Sequence, residues 1–280
     1  MGRFGFRTRN GAISSFIEGI VGTTTDVDAQ AFYDRVTAAG GTLTTTEKDA
    51  VNVLVLSLKT NSLWTLMKVI YPMVGASAAA CAQNLKSSSF TGTFTSGWTF
   101  ASAGVTPNGT SAFFNTNFNN QSNWTSTSNG SMGLISATNQ SGAFCDMGSA
   151  PVVSNGANSS TIYASYSGTY YGGLNCTAVT PGSANASTIG FFATSRISST
   201  QSSIYKRGSS TINVTTTDAI GLNPNTNIYL GAGNNSGGGG ASNFASKQYN
   251  FCFLGDGLTQ AQVDTYYSIL QTFNTSLSRW

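Results

Sequence analysis

The sequence predicts a mainly β protein, in which a jelly-roll-like β-sandwich follows a small N-terminal helical module and is closed by a C-terminal helix. Short β-prone runs recur after about residue 85 between clusters of Gly, Asn, Ser and Pro, a texture typical of sandwiches and barrels. Helical periodicity with capping residues is confined to the two ends of the chain. The predicted strands are Ser111–Phe118, Met132–Ala137, Thr161–Tyr166, Ile189–Thr194, Ser203–Lys206, Ile212–Thr215, Ile228–Gly231 and Tyr249–Leu254.

Two helices are predicted at the start of the helical module. Asp26 is suited to cap the first, and the Gly40-Gly41 pair is typical of a helix C-terminus. The second begins after Thr44, because Glu47 stands at capping-box spacing and apolar residues follow at i, i+3, i+4 and i+7. Each helix therefore has one apolar face to bury.

Three further segments complete the predicted organisation. A short third helix is expected over Leu63–Ile70, where apolar residues recur until Pro72 ends the segment. The Gly233–Ser242 stretch, GNNSGGGGAS, is predicted to be a flexible loop. Near the C-terminus, Thr259 and Gln262 again have capping-box spacing, and the apolar stripe after them is suited to docking on the sandwich.

Charged residues are scarce: Asp, Glu, Lys and Arg make up 8% of the 280 residues, against about 25% in ordinary globular domains. Ser, Thr, Asn and Gly must cover the surface instead, which favours assembly with other proteins over free solubility. Three basic residues, Arg3, Arg7 and Arg9, stand at the N-terminus, so the remainder is nearly neutral and has no basic stripe. We therefore expect no nucleic-acid binding by the sandwich.

The four cysteines, Cys81, Cys145, Cys176 and Cys252, are isolated, and the chain contains no His. Neither a zinc site nor a C-x-x-C redox motif is predicted. Buried thiols are the favoured interpretation, with one or two disulfides as the alternative. The weak apolar run interrupted by Glu18 is too short to span a membrane and poor as an export signal, so no membrane association is expected.

Four segments in order carry a resemblance to a known family. They are WTFASAGVTPNGTSAFF at Trp98–Phe114, IGFFATSRISSTQSSIYK at Ile189–Lys206, the stretch from IYLGAGNN to FCFLGDGLT at Ile228–Thr259, and the lead-in LWTLMKVIYPMVGASAAACAQNLK at Leu63–Lys86. Together they resemble concanavalin A-like (laminin-G-like) sandwich domains of bacteriophage virion proteins of the tail fibre, spike or head decoration type.

The resemblance implies a lectin-like fold on the surface of a virus particle, in a protein synthesised in the host cytoplasm. Its expected partners are other virion proteins and copies of itself, in a homo-oligomer for which a trimer is one expected form, and a host-surface glycan. The corresponding division of the chain is a basic and aromatic arm at 1–22, a helical anchoring module at 23–84, and the sandwich with its closing helix at 85–280.

Catalysis is not expected. Glycanases of this fold need two facing carboxylates, yet no Glu follows Asp49, and the later acids are only Asp146, Asp218, Asp256 and Asp264. A serine or cysteine triad lacks a histidine base. Asp146 or Asp218 could form a weak calcium site, but turn-capping Asp residues are the favoured alternative, so neither a metal nor another cofactor is predicted.

Glycan binding without metal requires aromatic faces beside polar groups. Tyrosines crowd two adjacent candidate strands, and two tryptophans stand beside polar stretches; ordinary core aromatics are the alternative for each. The candidate glycan contacts are Trp98, Trp124, Tyr163, Tyr166, Tyr170 and Tyr171.

The N-terminal arm alternates charges with large aromatics, which favours burial against a protein partner over a free tail. The alternative is an ordinary disordered tail. The candidate anchoring residues are Arg3, Phe4, Phe6, Arg7, Arg9 and Phe16.

These observations favour a non-enzymatic virion-surface protein, a fibre, spike or decoration that presents its sandwich for host or glycan attachment. The alternative is a purely structural virion component whose sandwich packs against its own copies. A binding protein should expose an aromatic cluster, whereas a packing protein should bury its aromatics at subunit contacts.

Overall fold

Two capped helices open the described part of the chain, which in this computed structural model comprises residues 24–150, 159–221, 223–235 and 240–279. Helix α1 is Val27–Ala38, and the Asp26 side chain accepts a hydrogen bond from the main chain of its first turn. Helix α2 is Thr45–Thr60, and it begins with the complete capping box of Thr44 and Glu47. Both predicted helices are confirmed.

The prediction of a third helix over Leu63–Ile70 is wrong. A single 3-10 turn, Trp64–Leu66, leads into strand β1, Met67–Tyr71, which pairs antiparallel with strand β17, Tyr249–Gly255. Both faces of β1 are buried, and a short apolar run of this kind has no periodicity that separates a strand from a helix. Pairing with a strand nearly two hundred residues away decides its conformation.

The remaining strands form two packed, mainly antiparallel sheets, as predicted. The first sheet has the order β13-β12-β11-β6-β17-β4-β3, with β1 also paired to β17. Its other strands are β3 Trp98–Ala101, β4 Gly104–Pro107, β6 Gly130–Ser136, β11 Gly190–Arg196, β12 Gln201–Arg207 and β13 Ile212–Thr217.

The second sheet has the order β10-β9-β8-β7-β14-β5-β2, with a small hairpin added beside β7. Its main strands are β2 Thr93–Phe94, β5 Phe114–Asn119, β7 Met147–Ala150, β8 Ser159–Tyr166, β9 Thr169–Cys176, β10 Thr180–Ala184 and β14 Asn227–Leu230. All eight predicted strand segments overlap strands of the structure, and the sandwich is therefore confirmed.

The segment predicted as a loop at Gly233–Ser242 contains two short strands, β15 Gly233–Asn235 and β16 Gly240–Ser242. These pair with each other, and β15 also pairs parallel with β7. The Asn235 amide donates hydrogen bonds to the Gly240 carbonyl and the Ser242 hydroxyl. Pairing and amide hydrogen bonds thus order both flanks of a glycine-rich sequence, and the loop prediction is corrected for these residues.

Two hydrophobic cores stabilise the molecule. One lies between the sheets; the other lies between the outer face of the first sheet and the helices. Helix α4, Gln260–Ser276, starts with the predicted capping box and packs in this second core together with α1 and α2. A four-residue helix α3, Ala78–Cys81, contributes Ala80 to the same core. The helices and the sheet therefore share one core, and the proposed domain boundary near residue 85 stays a prediction.

None of the described helices is long and apolar enough to cross a membrane. The predicted anchoring arm at 1–22, including Arg3, Phe4, Phe6, Arg7, Arg9 and Phe16, lies outside the described residues.

Candidate functional site

Three of the predicted tyrosines meet on the outer face of the second sheet. Along β8, Ile162 and Ala164 point into the core between the sheets, so Tyr163 points outward. Tyr163 stands directly opposite Tyr171 on β9. Tyr166, near the hairpin that joins the two strands, has ring centroids 6.0 Å from Tyr163 and 6.2 Å from Tyr171, with interplanar angles of 88° and 90°. We call these three residues the tyrosine surface.

Exposure makes this surface available to a ligand. Tyr166 is 43% exposed, and Tyr163 and Tyr171 are half-buried. The Tyr163 hydroxyl is hydrogen-bonded with Asn243 and Cys145. The pKa of Tyr163 is raised, mainly by the neighbouring Cys145 and secondly by burial. The phenol therefore stays neutral at physiological pH, and its hydrogen bonds fix the ring that forms one side of the surface.

The other three predicted contacts lie elsewhere. Tyr170 is fully buried and donates a hydrogen bond to the Ala193 carbonyl at 2.8 Å. Trp124 is 7% exposed, and its Nε1 donates to Asn120 Oδ1 at 3.1 Å. Trp98 is half-buried in an aromatic cluster on edge strand β3. Tyr170 and Trp124 pack in the core and have no free ring face for a glycan, and Trp98 lies on the first sheet whereas the tyrosine surface lies on the second.

A second aromatic pair on the same outer face was not predicted. The rings of Phe113 and Tyr229 stack with centroids 4.2 Å apart and an interplanar angle of 16°. Tyr229 lies opposite Gly148 and Asn115 on the neighbouring strands, whereas the adjacent Leu230 points into the core. The sequence signal was the alternation in the Ile228–Gly231 run, which places Tyr229 on the face opposite its neighbours.

Asp146 is fully buried, and its carboxylate accepts four hydrogen bonds. Lys247 Nζ lies 2.8 and 2.9 Å from its two oxygens, the Tyr249 hydroxyl donates at 2.8 Å, and the main-chain N–H of Ala164 donates at 2.8 Å. Lys247 is likewise fully buried. The pair is a structural link between the sheets, with no approach for a substrate.

Asp218 is engaged in the same way. Its carboxylate forms an ion pair with Arg196, which is fully buried, and it accepts hydrogen bonds from the N–H and hydroxyl of Thr177. The Arg196 Nε donates to the Leu174 carbonyl at 2.7 Å, so the side chain joins β11 of one sheet to β9 of the other. The sequence favoured turn capping as the role of Asp146 and Asp218. In the structure both carboxylates are instead held in buried ion pairs, and the interpretation is corrected.

The two remaining acids of the sandwich region also have cationic partners. Asp256 lies 3.9 Å from Lys68 Nζ, and Asp264 lies 2.6 Å from Arg207 Nη2. Each of the four aspartates beyond residue 85 is thus held beside a basic side chain, and they come from separate parts of the sandwich.

The four cysteines are buried. Burial raises the pKa of the Cys81 thiol to about 12 and that of Cys176 to about 11. The Cys81 thiol donates to the Val74 carbonyl at 3.3 Å, and the Cys176 thiol donates to the Ser159 carbonyl at 3.2 Å. These environments fit the buried-thiol interpretation, and they disfavour thiolate chemistry at neutral pH.

The sequence matches no protein-family model, and no curated protein matches it. Among solved structures, the carbohydrate-binding domain CBM40 of the Ruminococcus gnavus IT-sialidase, bound to α2,3-sialyllactose, is similar with 13% identity and a TM-score of 0.39, over 52% of this chain and 83% of that one. The binding domain of Paraclostridial Mosquitocidal Protein 1 is similar with 10% identity and a TM-score of 0.36, over 69% of this chain and 49% of that one. Because both TM-scores are below 0.5, the assignment of a sandwich depends on the two observed sheets and not on these similarities.

Proposed function

We propose that this protein is a non-enzymatic bacteriophage virion-surface protein that binds a host glycan through the tyrosine surface of its sandwich. The observation that carries the proposal is the group of Tyr163, Tyr166 and Tyr171 on an outer sheet face, with Tyr166 exposed at its centre. Aromatic rings present apolar faces on which the C–H side of a sugar ring stacks, while phenolic and amide groups at the rim hydrogen-bond its hydroxyls.

The pairing of every aspartate beyond residue 85 with a Lys or Arg supports the absence of catalysis. A glycanase would need one protonated and one ionised carboxyl group facing the scissile bond. Asp146 and Asp218 are instead buried in ion pairs, and Asp264 accepts a hydrogen bond from Arg207 Nε and forms an ion pair with its Nη2. These carboxylates stabilise the fold.

The virion assignment is supported by the ordered sequence resemblance and by the low content of charged residues. On this proposal the arm at 1–22 and the helical module attach the protein to other virion subunits, and the sandwich is carried outward in a homo-oligomer. The protein would be made in the host cytoplasm and assembled onto the capsid or tail.

A purely structural virion component is the second candidate. It is favoured by the Phe113–Tyr229 stack, which lies on the same outer face as the tyrosine surface. Two aromatic groups on one sheet face would also suit packing between subunits.

The test is the substitution Tyr166→Ala, with Ile197→Ala as the matched control, because Ile197 is a 58% exposed apolar residue outside the tyrosine surface. Binding is measured by fluorescence anisotropy with labelled oligosaccharides from host capsule and lipopolysaccharide. Loss of one stacking partner worth about 1 kcal/mol weakens binding about fivefold, and the control should not change it.

Wild-type protein that binds none of these oligosaccharides, while its oligomer protects Tyr166 from iodination, would establish the structural alternative. Equal affinities for Tyr166→Ala and wild type would remove the tyrosine surface as the glycan site.

A further inference from the structure

The basic side chains of the sandwich are all buried in the fold. Between Ser87 and Trp280 the sequence contains five of them, and each is at most 7% exposed: Arg196, Lys206, Arg207, Lys247 and Arg279. The stretches of this region that lie outside the described residues contain no Asp, Glu, Lys or Arg. These five cations are therefore all that the sandwich has to offer an acidic ligand.

Each of the five cations is held by acceptors inside the fold. Three form the ion pairs with aspartates described above: Arg196, Arg207 and Lys247. The other two bind neutral acceptors. Lys206 Nζ donates to Asn185 Oδ1 at 2.5 Å and to Ser210 Oγ at 2.7 Å. The Arg279 guanidinium donates to main-chain carbonyls, among them that of Met73 at 2.7 Å. These contacts keep the cationic groups away from a ligand on the surface.

The second sheet, which carries the tyrosine surface, is built from uncharged residues. Its strands β2, β5, β7 to β10 and β14 to β16 contain no Asp, Glu, Lys or Arg. Charged residues with accessible surface lie in the helical module and near the first sheet. Asp256 directly follows β17 of that sheet, and Asp264 is on α4. The accessible basic residues among those described all precede Ser87: Arg35, Lys48, Lys59, Lys68 and Lys86.

The tyrosine surface offers neutral groups to a ligand. Its three phenols are joined by the Thr169 hydroxyl at the start of β9. Thr169 stands opposite Tyr166 beside the hairpin. Because Tyr170 points into the core between the sheets, Thr169 and Tyr171 both point outward. A ligand on this surface therefore meets ring faces and hydroxyl groups.

An acidic sugar is poorly matched to these groups. Proteins bind carboxylate and phosphate groups through Arg and Lys, whose charge-assisted hydrogen bonds are about twice as strong as neutral ones. On the tyrosine surface a sugar carboxylate would lose part of its hydration without gaining such a partner. The faces of aromatic rings also carry negative partial charge, which repels an anion. A neutral sugar has neither cost.

We propose that the tyrosine surface is selective for glycans without acidic groups, so that neutral hexoses and N-acetylated sugars bind better than sugars carrying a carboxylate, sulfate or phosphate. The proposal rests on the glycan-binding function proposed above and adds the class of sugar. The same charge distribution makes the affinity nearly independent of salt, because no surface ion pair forms with the ligand.

The experiment compares each acidic oligosaccharide with its own neutral derivative. Labelled capsule oligosaccharides that contain uronic acids are used in native form and after reduction of their carboxylates to primary alcohols, and binding is followed by fluorescence anisotropy. Wild-type protein should bind the reduced form about fivefold more tightly. The dissociation constant of the reduced form should change by less than about twofold between roughly 50 and 500 mM NaCl. Tyr166→Ala should weaken its binding.

A charge added beside the tyrosine surface tests the cause of the selectivity. Thr169→Arg places a guanidinium beside Tyr166, and Thr169→Gln is the matched neutral control with a long side chain. Thr169→Arg should tighten binding of the native acidic form by about threefold to fivefold at low salt, lose that gain at high salt, and leave the reduced form unchanged. Thr169→Gln should produce neither effect. Both variants should keep the wild-type melting temperature, because the side chain points outward.

Three results would overturn the selectivity. In the first, native acidic oligosaccharides bind wild-type protein at least as tightly as their reduced forms and lose affinity in Tyr166→Ala; the tyrosine surface would then remain the glycan site. In the second, Thr169→Arg brings no gain for the acidic form, so that charge does not limit its binding. In the third, neither form binds, and the proposed function fails together with the selectivity.

Discussion

Asp146→Asn is the substitution that most directly tests how the sandwich is held together. Asp146 and Lys247 are both fully buried and in contact at 2.8 Å, and the carboxylate also accepts from the Tyr249 hydroxyl. The Asn side chain has nearly the same shape and keeps an oxygen for Tyr249. The substitution therefore removes the negative charge and leaves the Lys247 ammonium buried beside a neutral amide.

The magnitude follows from that uncompensated charge. Removing one partner of a buried ion pair destabilises a protein by about 3 to 5 kcal/mol, against a total stability of about 5 to 15 kcal/mol for a typical domain. With about 2 to 4 °C of melting temperature per kcal/mol in proteins of this size class, the melting temperature should fall by roughly 6 to 20 °C.

The assay is urea unfolding followed by tryptophan fluorescence, with Lys247→Met and the double variant Asp146→Asn/Lys247→Met alongside. Replacing both charges leaves no buried ion, so the double variant should recover about 2 kcal/mol relative to Asp146→Asn. The double-mutant cycle then gives the coupling between the two side chains.

An Asp146→Asn protein within about 1 kcal/mol of wild type would refute the reasoning, because the Lys247 charge would then have to be solvated or absent. A double variant that is less stable than either single variant would also refute it. Each side chain would then stabilise the fold through its own hydrogen bonds and not through the ion pair.

Three further outcomes are expected. Purified protein should release no reducing ends from host capsule, lipopolysaccharide or peptidoglycan, and turnover lost in Asp218→Asn would contradict the structural role of that ion pair. Deletion of residues 2–22 should leave the thermal transition intact but abolish oligomer formation or incorporation into particles; assembly of the truncated protein would transfer the anchoring role to the helices. The urea midpoint should fall as pH rises above about 9, because burial holds the pKa of Cys81 at about 12 and of Cys176 at about 11, so the unfolded chain loses those protons first. Burial lowers the pKa of Lys86 to about 8, so this side chain has the opposite effect and adds stability as the pH rises above that value. In Lys86→Met this effect is absent, and the urea midpoint should fall more steeply with pH. An unchanged midpoint from pH 8 to 10 in that variant would contradict the thiol argument.

Helix ends could be read from the sequence because their determinants are local. In the capping boxes at Thr44 and Thr259, the residue three positions on supplies the reciprocal hydrogen bond, so a window of four residues contains the whole interaction. The α1 cap by Asp26 is equally local. These signals do not depend on what the helix later packs against.

Strand β9 was harder to predict, although it pairs with its sequence neighbours β8 and β10. The strand Thr169–Cys176 contains Gly172 and Gly173, which indicate a break in a strand when considered alone. In the structure a Cβ at Gly172 would lie 3.0 Å from the Ile204 side chain of the facing sheet, and one at Gly173 would lie 2.5 Å from the Cys176 sulfur. The glycines are needed where the strand packs closely, and only the folded sandwich reveals that contact.

Side-chain directions along the strands were predictable only where the strand period is regular. Tyr163 and Tyr171 could be proposed because strict alternation places every second residue of a strand on the outer face. The direction of Tyr249 could not be predicted in this way, because the same alternation counted back from Cys252 would turn Tyr249 outward. The bulge reverses that assignment: Tyr249 lies in the core between the sheets, and Asn250 is the extra residue. Reasoning that relies on the strand period assigns such a residue to the wrong face, so the hydrogen bond from the Tyr249 hydroxyl to Asp146 could be found only in the structure.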